Sequence, residues 1–264
     1  MGKTAMVTLC VGKEFTSLWD RYCRAGWENY ARRHGYDLKA FTSPVDMSTR
    51  AAGRTVAWQK CLVLEALADY ERVLWVDADI VINREAPAVT VDVPMGKVGA
   101  VISGSYIHPD LRMHFLRRTI RPTAITATDE REAWRNDQAS FYAEAGITCA
   151  STEIVQSGVL VMDASHRGLM REVYESYPAG LRYAEQLPLS AALLNSGVLH
   201  RMDSKFNTVF LERAVVHYTY LFDPEIQKNG IFHQLASLAV QAELNNSYFL
   251  HFALEPKYMR YVPV

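Results

Sequence analysis

The sequence predicts an α/β fold, a Rossmann-like and mainly parallel sheet flanked by helices in a single domain. Three observations predict it. Apolar runs alternate with amphipathic stretches in strand–helix–strand–helix–strand order through the first eighty residues. No internal repeat, low-complexity tract or linker divides the 264 residues, a length that one large domain accommodates. The run "VLWVDADIVI", residues 73–82, carries two aspartates near its end. In open α/β sheets, ligands bind beyond the carboxyl ends of strands.

The elements follow in order. "AMVTLCVG" reads as a first strand that stops at Gly12. Phe15, Leu18, Trp19, Tyr22, Cys23, Trp27 and Tyr30 then recur at three- and four-residue steps, one apolar stripe of one helix. "RHGYDLKAF" ends that helix near Gly35 and opens a second strand. "TSPVDMSTRAAGR" is a polar loop, and "TVAWQKCLVLEALADY" reads as a second helix leading into the aspartate-bearing strand. "VGAVISG" is a fourth strand, and residues 105–150, polar and Arg-rich, receive no assignment. "IVQSGVLVMDAS" returns to a strand. "HRGLMREVYESYP", "EQLPLSAALLNSG" and "FHQLASLAVQAEL" read as helices, with "RMDSKFNTVF" and "AVVHYTYLF" as short extended pieces. "YFLHFALEPKYMRYVPV" closes the chain.

Composition excludes several classes. A formal net charge of −1 supplies no general attraction to nucleic acid or an anionic membrane. The opening "MGKTAMVTLCVGKEF" lacks a signal-peptide pattern, and no apolar stretch reaches the ~18 residues of a membrane helix. Cys10, Cys23, Cys61 and Cys149 lie far apart without CxxC spacing. They read as buried free thiols, and the expected location is the cytoplasm.

Within a strand, alternation points Asp77 and Asp79 to one face. Unpaired charges there are costly, so a cation is expected. Three readings compete. In a structural one, Asp77 caps a turn and Asp79 faces water. In a second, "DADIV" resembles the nucleophile motif of haloacid-dehalogenase-type phosphatases. Against it, the motif lies on the third strand and no "DD" or "GD" follows residue 79. In the third, the two carboxylates hold a divalent ion that neutralises the diphosphate of a departing nucleotide.

"HFALEPK" favours the third reading: His251 supplies an imidazole for a metal shell, and Lys257, six positions on, reaches phosphate oxygens. With these motifs the sequence resembles the retaining glycosyltransferases of the GT-A fold, especially glycosyltransferase families 8 and 34. Family 8 carries His-x-x-Gly-x-x-Lys-Pro near its C-terminus; here the Gly is Leu254 and the Pro is Tyr258. His217, followed six positions on by Asp223, is the rival ligand.

The resemblance implies more. Residues 1–104 would form a nucleotide-binding half. Residues 105–264 would form an acceptor-side half with the C-terminal metal and diphosphate loop. Asp77, Asp79 and His251 would hold Mn²⁺ or Mg²⁺. The donor would contact Thr8, Val11 and Lys13 at the first strand end, Asp77, Ala78 and Asp79, and Gln156, Ser157 and Gly158 of "VQSGVLVMD". Lys60, 17 residues before Asp77, and Lys257 would face the diphosphate, with Arg54 a weaker candidate. Glu185 and Gln186 of "EQLPLSAAL" would sit beside the donor sugar as catalytic candidates, stabilising an oxocarbenium-like centre. Their plain alternative is a helix-start capping pair. Asp137 of "WRNDQASF" is a further catalytic candidate, and Asn207 of "KFNTVF" a packing residue. Arg112, Arg117, Arg118 and Arg121 form either a solvated basic face or a site for an anionic acceptor. A sugar nucleotidyltransferase would show a Gly-rich GxGxR loop, whereas "CVGKEF" has one Gly.

The expected enzyme transfers a hexose from a UDP-sugar to a small-molecule, glycan or peptide hydroxyl with retention. It has no nucleic-acid partner and no transmembrane segment, and a homodimer is left open. The alternative is a sugar-nucleotide-binding protein without transfer activity.

Overall fold

A computed structural model describes residues 2–104, 138–181 and 183–263. Strands β1 (Thr4–Leu9), β2 (Asp37–Phe41), β3 (Arg72–Val76), β5 (Val98–Ile102), β6 (Val155–Asp163) and β7 (Leu199–Arg201) form one sheet in the order β2-β1-β3-β6-β5-β7. The β1/β2, β1/β3 and β5/β7 pairs are parallel, so the sheet is mostly parallel. The long β6 is the exception, antiparallel to both β3 and β5. That reversal brings the start of β6 beside the end of β3. A second sheet joins β4 (Ile80–Ile82), β9 (Phe249–His251) and β8 (Thr208–Val209).

Among the described residues the helices are α1 (Lys13–Tyr22), α2 (Arg24–His34), α3 (Val63–Ala66), α4 (Gln138–Glu144), α5 (Arg167–Ser176), α6 (Gln186–Asn195), α7 (Phe210–His217), α8 (Pro224–Lys228) and α9 (Phe232–Asn246). Strand alternation divides the core between the two faces of the large sheet. Met6, Leu74, Val76 and Val161 pack against α1, α2, α9 and the small sheet. Ala5, Val7, Val73, Trp75, Leu160 and Met162 pack against α5, α6 and the segment before β3. A strand covered on both faces reads as a continuous apolar run, as β3 does from Val73 to Val76 and β6 does from Val159 to Met162. Among the described residues, no helix is long and apolar enough to cross a membrane.

Four expectations change outright, and a fifth, "RMDSKFNTVF" as an extended piece, holds only at Arg201 and Thr208–Val209, because Asp203 caps a 3₁₀ turn over Ser204–Asn207. The stripe from Phe15 to Tyr30 is two helices with a bend at Cys23. The bend is mild, because the Cys23 amide still donates to Trp19 O (2.9 Å) and its carbonyl still accepts from Trp27 N (3.0 Å). Residues 55–70 are no single helix but a 3₁₀ segment, Val56–Leu62, running into the short α3. Trp58, Gln59, Lys60, Cys61 and Leu62 are all buried, and an element hidden on every side is shaped by its surroundings rather than by helical periodicity. "AVVHYTYLF" is not extended: its first residues end α7, and a 3₁₀ turn, Thr219–Phe222, follows. Read from Phe210, the buried positions Phe210, Leu211, Ala214 and Val215 keep helical spacing; the quoted window starts too late to show it.

The fourth change decides the site. "VLWVDADIVI" is two strands rather than one. β3 ends at Val76, the chain turns through Asp77-Ala78-Asp79 with Ile80 N donating to Asp77 O (3.2 Å), and β4 starts in the other sheet. The two aspartates share a location because they lie on the corner between the sheets.

Candidate active site

The backbone register assembles the cluster. β4 pairs with β9 so that Ile80 lies opposite His251, and Phe252 N donates to Asp79 O (3.0 Å). The residue after Asp79 thereby delivers the imidazole to the acidic corner. On the other side, the β3/β6 ladder runs on past Val76, and Asp77 N donates to Gly158 O (2.8 Å). Asp77, Asp79 and His251 each turn one ligand atom into a common space, with all three atoms within 4.8 Å of one another. His251 Nε2 lies 3.3 Å from Asp79 Oδ1 and 3.9 Å from Asp77 Oδ2.

Two of the three candidate ligands, His251 and Asp77, are held from behind. His251 Nδ1 lies 2.9 Å from Asn207 Oδ1, and the Asn207 Nδ2 donates to Gln156 O (3.3 Å). An amide oxygen only accepts, so Nδ1 donates to it and Nε2 is left to the carboxylates, carrying a proton toward Asp79 in the metal-free protein and offering its lone pair once a cation displaces that proton. Asp77 Oδ1 accepts from the Trp75 indole (2.7 Å) and from Lys60 Nζ (3.2 Å), which leaves Oδ2 for the cluster. These are the supports that orient metal ligands, and sequence reasoning missed Trp75 and the orienting role of Asn207. Neither carries a motif. Trp75 lies two residues before Asp77 in a strand, the spacing that puts it on the same face.

The charges of the cluster interact strongly. Burial alone would lower the basicity of His251, but the Asp79 carboxylate beside it, helped by Asp77, moves its pKa above the ordinary histidine value. Burial alone would raise Asp79, but the facing imidazole brings its carboxyl below the usual carboxylate range. Two carboxylate oxygens with an imidazole nitrogen suit a hard-to-borderline divalent cation, so the residues present fit Mn²⁺ or Mg²⁺.

The other predicted residues fall into distinct places. Lys60 is buried, with Nζ also 2.9 Å from Glu185 Oε1 and 3.1 Å from both oxygens of Ser157. Glu185 is buried and accepts from the Ser157 hydroxyl (2.9 Å). Gln186 opens α6 half-buried, its amide nitrogen donating to Val155 O (2.9 Å). The Gln156 amide donates to Ser103 Oγ (3.0 Å). Thr8 is buried in β1, Val11 is half-buried, and Lys13 is exposed at the start of α1. Arg54 is held elsewhere: its guanidinium stacks between Trp58 and Tyr174 (4.4 and 4.7 Å to the ring centroids) and donates to Tyr177 O (2.6 Å). Lys257 is exposed and pairs with Glu255 at 2.8 Å. His217 is exposed in the last turn of α7 and takes no part in the cluster. Asp137 and the arginines at 112, 117, 118 and 121 lie outside the described residues.

Leu254, which stands where the resemblance to family 8 would place a glycine, has a left-handed φ of 67°. Its side chain is 80% exposed, so little packing offsets the strain. Leu254→Gly is therefore expected to stabilise the protein by about 0.5–1 kcal/mol in denaturant titrations, the relief of strain outweighing the added chain entropy. A destabilised variant would show that the leucine packs in solution.

No protein-family model matches the chain, and no curated protein matches it. Solved structures do. A glycosyltransferase involved in the glycosylation of the major capsid of PBCV-1 is 13% identical, with 98% of each chain covered and a TM-score of 0.54. The WbbM bifunctional glycosyltransferase is also 13% identical with a TM-score of 0.51; the match covers 96% of this chain and 46% of that one. Likeness at this identity is likeness of fold, and the fold of this chain is the GT-A fold of glycosyltransferases.

Proposed function

We propose that this chain is a metal-dependent glycosyltransferase that moves a hexose from a UDP-sugar to a hydroxyl acceptor with retention at the anomeric carbon. One observation carries the reading: Asp77, Asp79 and His251 converge at the sheet corner of a GT-A fold. Mn²⁺ or Mg²⁺, when bound, would neutralise the charge that builds on the leaving diphosphate. The residues around it then have assigned tasks. Lys257, on the loop after His251, would turn from Glu255 to a phosphate oxygen. The end of β1, with Thr8, Val11 and Lys13, would meet the nucleoside. The start of β6, Gln156 to Gly158, would meet the sugar. Gln186, with its amide nitrogen committed to Val155 O, would present its carbonyl oxygen to the electron-poor anomeric carbon.

The phosphatase reading is less well supported, because it requires further carboxylates for Mg²⁺. Among the described residues, the third member of the cluster is an imidazole.

The test is incubation with a panel of UDP- and GDP-hexoses and Mn²⁺, without acceptor. Slow release of UDP, abolished by chelator, is expected. Metal-dependent binding without turnover across acceptor panels would favour a sugar-nucleotide-binding protein. Absence of metal-dependent nucleotide binding would overturn the proposal.

A further inference from the structure

Lys60 carries a full charge into the core, its side chain 2% exposed, and its partner Glu185 is nearly as hidden at 4%. Burying an ammonium and a carboxylate together is expensive, and an apolar pair of similar size would often stabilise a fold better. Lys60 Nζ already faces four oxygens, those of Asp77, Glu185 and Ser157. An ammonium has three protons, so none remains for a phosphate.

Charge bookkeeping gives the pair a role. Asp77, Asp79 and Glu185 carry three negative charges and Lys60 one positive, a net of two negative charges against a divalent ion with a neutral imidazole. Without Glu185, Lys60 would cancel half the charge that the two aspartates offer. Lys60 and Trp75 together occupy Asp77 Oδ1, which turns Oδ2 to the cluster.

We propose that Glu185 is a charge-setting residue for the metal site: it neutralises Lys60, so that Lys60 can orient Asp77 without weakening the attraction for a divalent cation. The inference rests on the metal reading above. It assigns Glu185 to the lysine rather than to the sugar, and makes Lys60 a positioning residue rather than a phosphate ligand.

The test reads Mn²⁺ alone, by electron paramagnetic resonance titration of the whole chain in mildly alkaline buffer. Glu185→Gln keeps an acceptor for Lys60 and Ser157 but removes the charge, and Mn²⁺ binding is expected to weaken roughly tenfold. The double variant Lys60→Met/Glu185→Gln restores the net charge while the Trp75 indole still holds Asp77. Its affinity is expected to return to within roughly threefold of wild type. A purely structural role predicts no such rescue. Absence of Mn²⁺ binding by the wild type would refute the metal reading itself. Wild-type binding with Glu185→Gln binding equally well would overturn this proposal alone, as would a double variant no better than the single. If Glu185→Gln does not fold, the double variant decides by itself: affinity near wild type supports the proposal, and a tenfold deficit overturns it.

Discussion

Asp79→Asn is expected to weaken Mn²⁺ binding at least ~100-fold and, under the proposed function, to slow sugar transfer by roughly a thousandfold, because it removes one of the three proposed ligands and half the charge of the acidic pair. The amide keeps the volume of the carboxylate, so packing at the corner survives. The same variant changes the pH response of the metal-free protein. With His251 raised by Asp79, its contribution to stability is fully present below the unfolded histidine pKa of about 6.5 and is lost as pH rises through the folded value. With Asp79 lowered by His251, its contribution is present above about 3.9 and is lost as pH falls through the folded value. The metal-free wild type should therefore be most stable in mildly acidic solution and lose stability toward alkaline pH. Mn²⁺ affinity should run the opposite way, since the ion displaces the proton from Nε2. In Asp79→Asn the imidazole loses the counter-ion that offsets its burial, so the alkaline loss of stability should largely vanish. Thermal melts across this pH range, with and without Mn²⁺, check both trends. A variant that keeps the wild-type slope would show that the His251–Asp79 pair does not form in solution.

The members of that cluster are legible in the sequence because each puts charge or a metal-seeking nitrogen where apolar residues dominate. Asp77 and Asp79 interrupt a hydrophobic run, and His251 stands six residues before Lys257. The geometry that unites them is less legible. Strand alternation explains their shared location wrongly; the cause is a corner between two sheets, set by pairing of β4 with β9 across some 170 residues of chain. Asn207 is an unremarkable amide until a neighbour 44 residues away needs its proton held. Lys60 lies where a phosphate-facing cation is expected, but its environment is set by Glu185 and Ser157, distant in sequence, which enclose it. Helices with one apolar stripe, such as α5, are readable from periodicity. The segment 56–62, with five consecutive residues from Trp58 to Leu62 buried, is not.

Gly158→Ala, a single methyl group, is expected to cost nearly as much metal affinity as removal of His251. An added Cβ would lie 2.5 Å from His251 Cε1, 2.7 Å from Nδ1 and 3.2 Å from Asn207 Nδ2. On the β3 side the strand has little room to retreat, since the Gly158 carbonyl accepts from Asp77 N and the neighbouring Val159 pairs with Val76. The ring has little room either, being 6% exposed and tied to Asn207. One of them must move. The ring is the softer element, and turning it breaks the Asn207 bond and takes Nε2 out of the cluster. The expected cost in stability is about 1–3 kcal/mol, typical of overpacking in a close-packed interior. A cycle with His251→Ala separates this from general damage. If the methyl acts through the ring, the double variant Gly158→Ala/His251→Ala should bind Mn²⁺ no more weakly than His251→Ala alone. Gly158→Ala should then cost less stability in that background, because the methyl fills space the ring has left. Additive losses in both measurements would mean that Gly158 acts through the strand rather than as the socket for the imidazole.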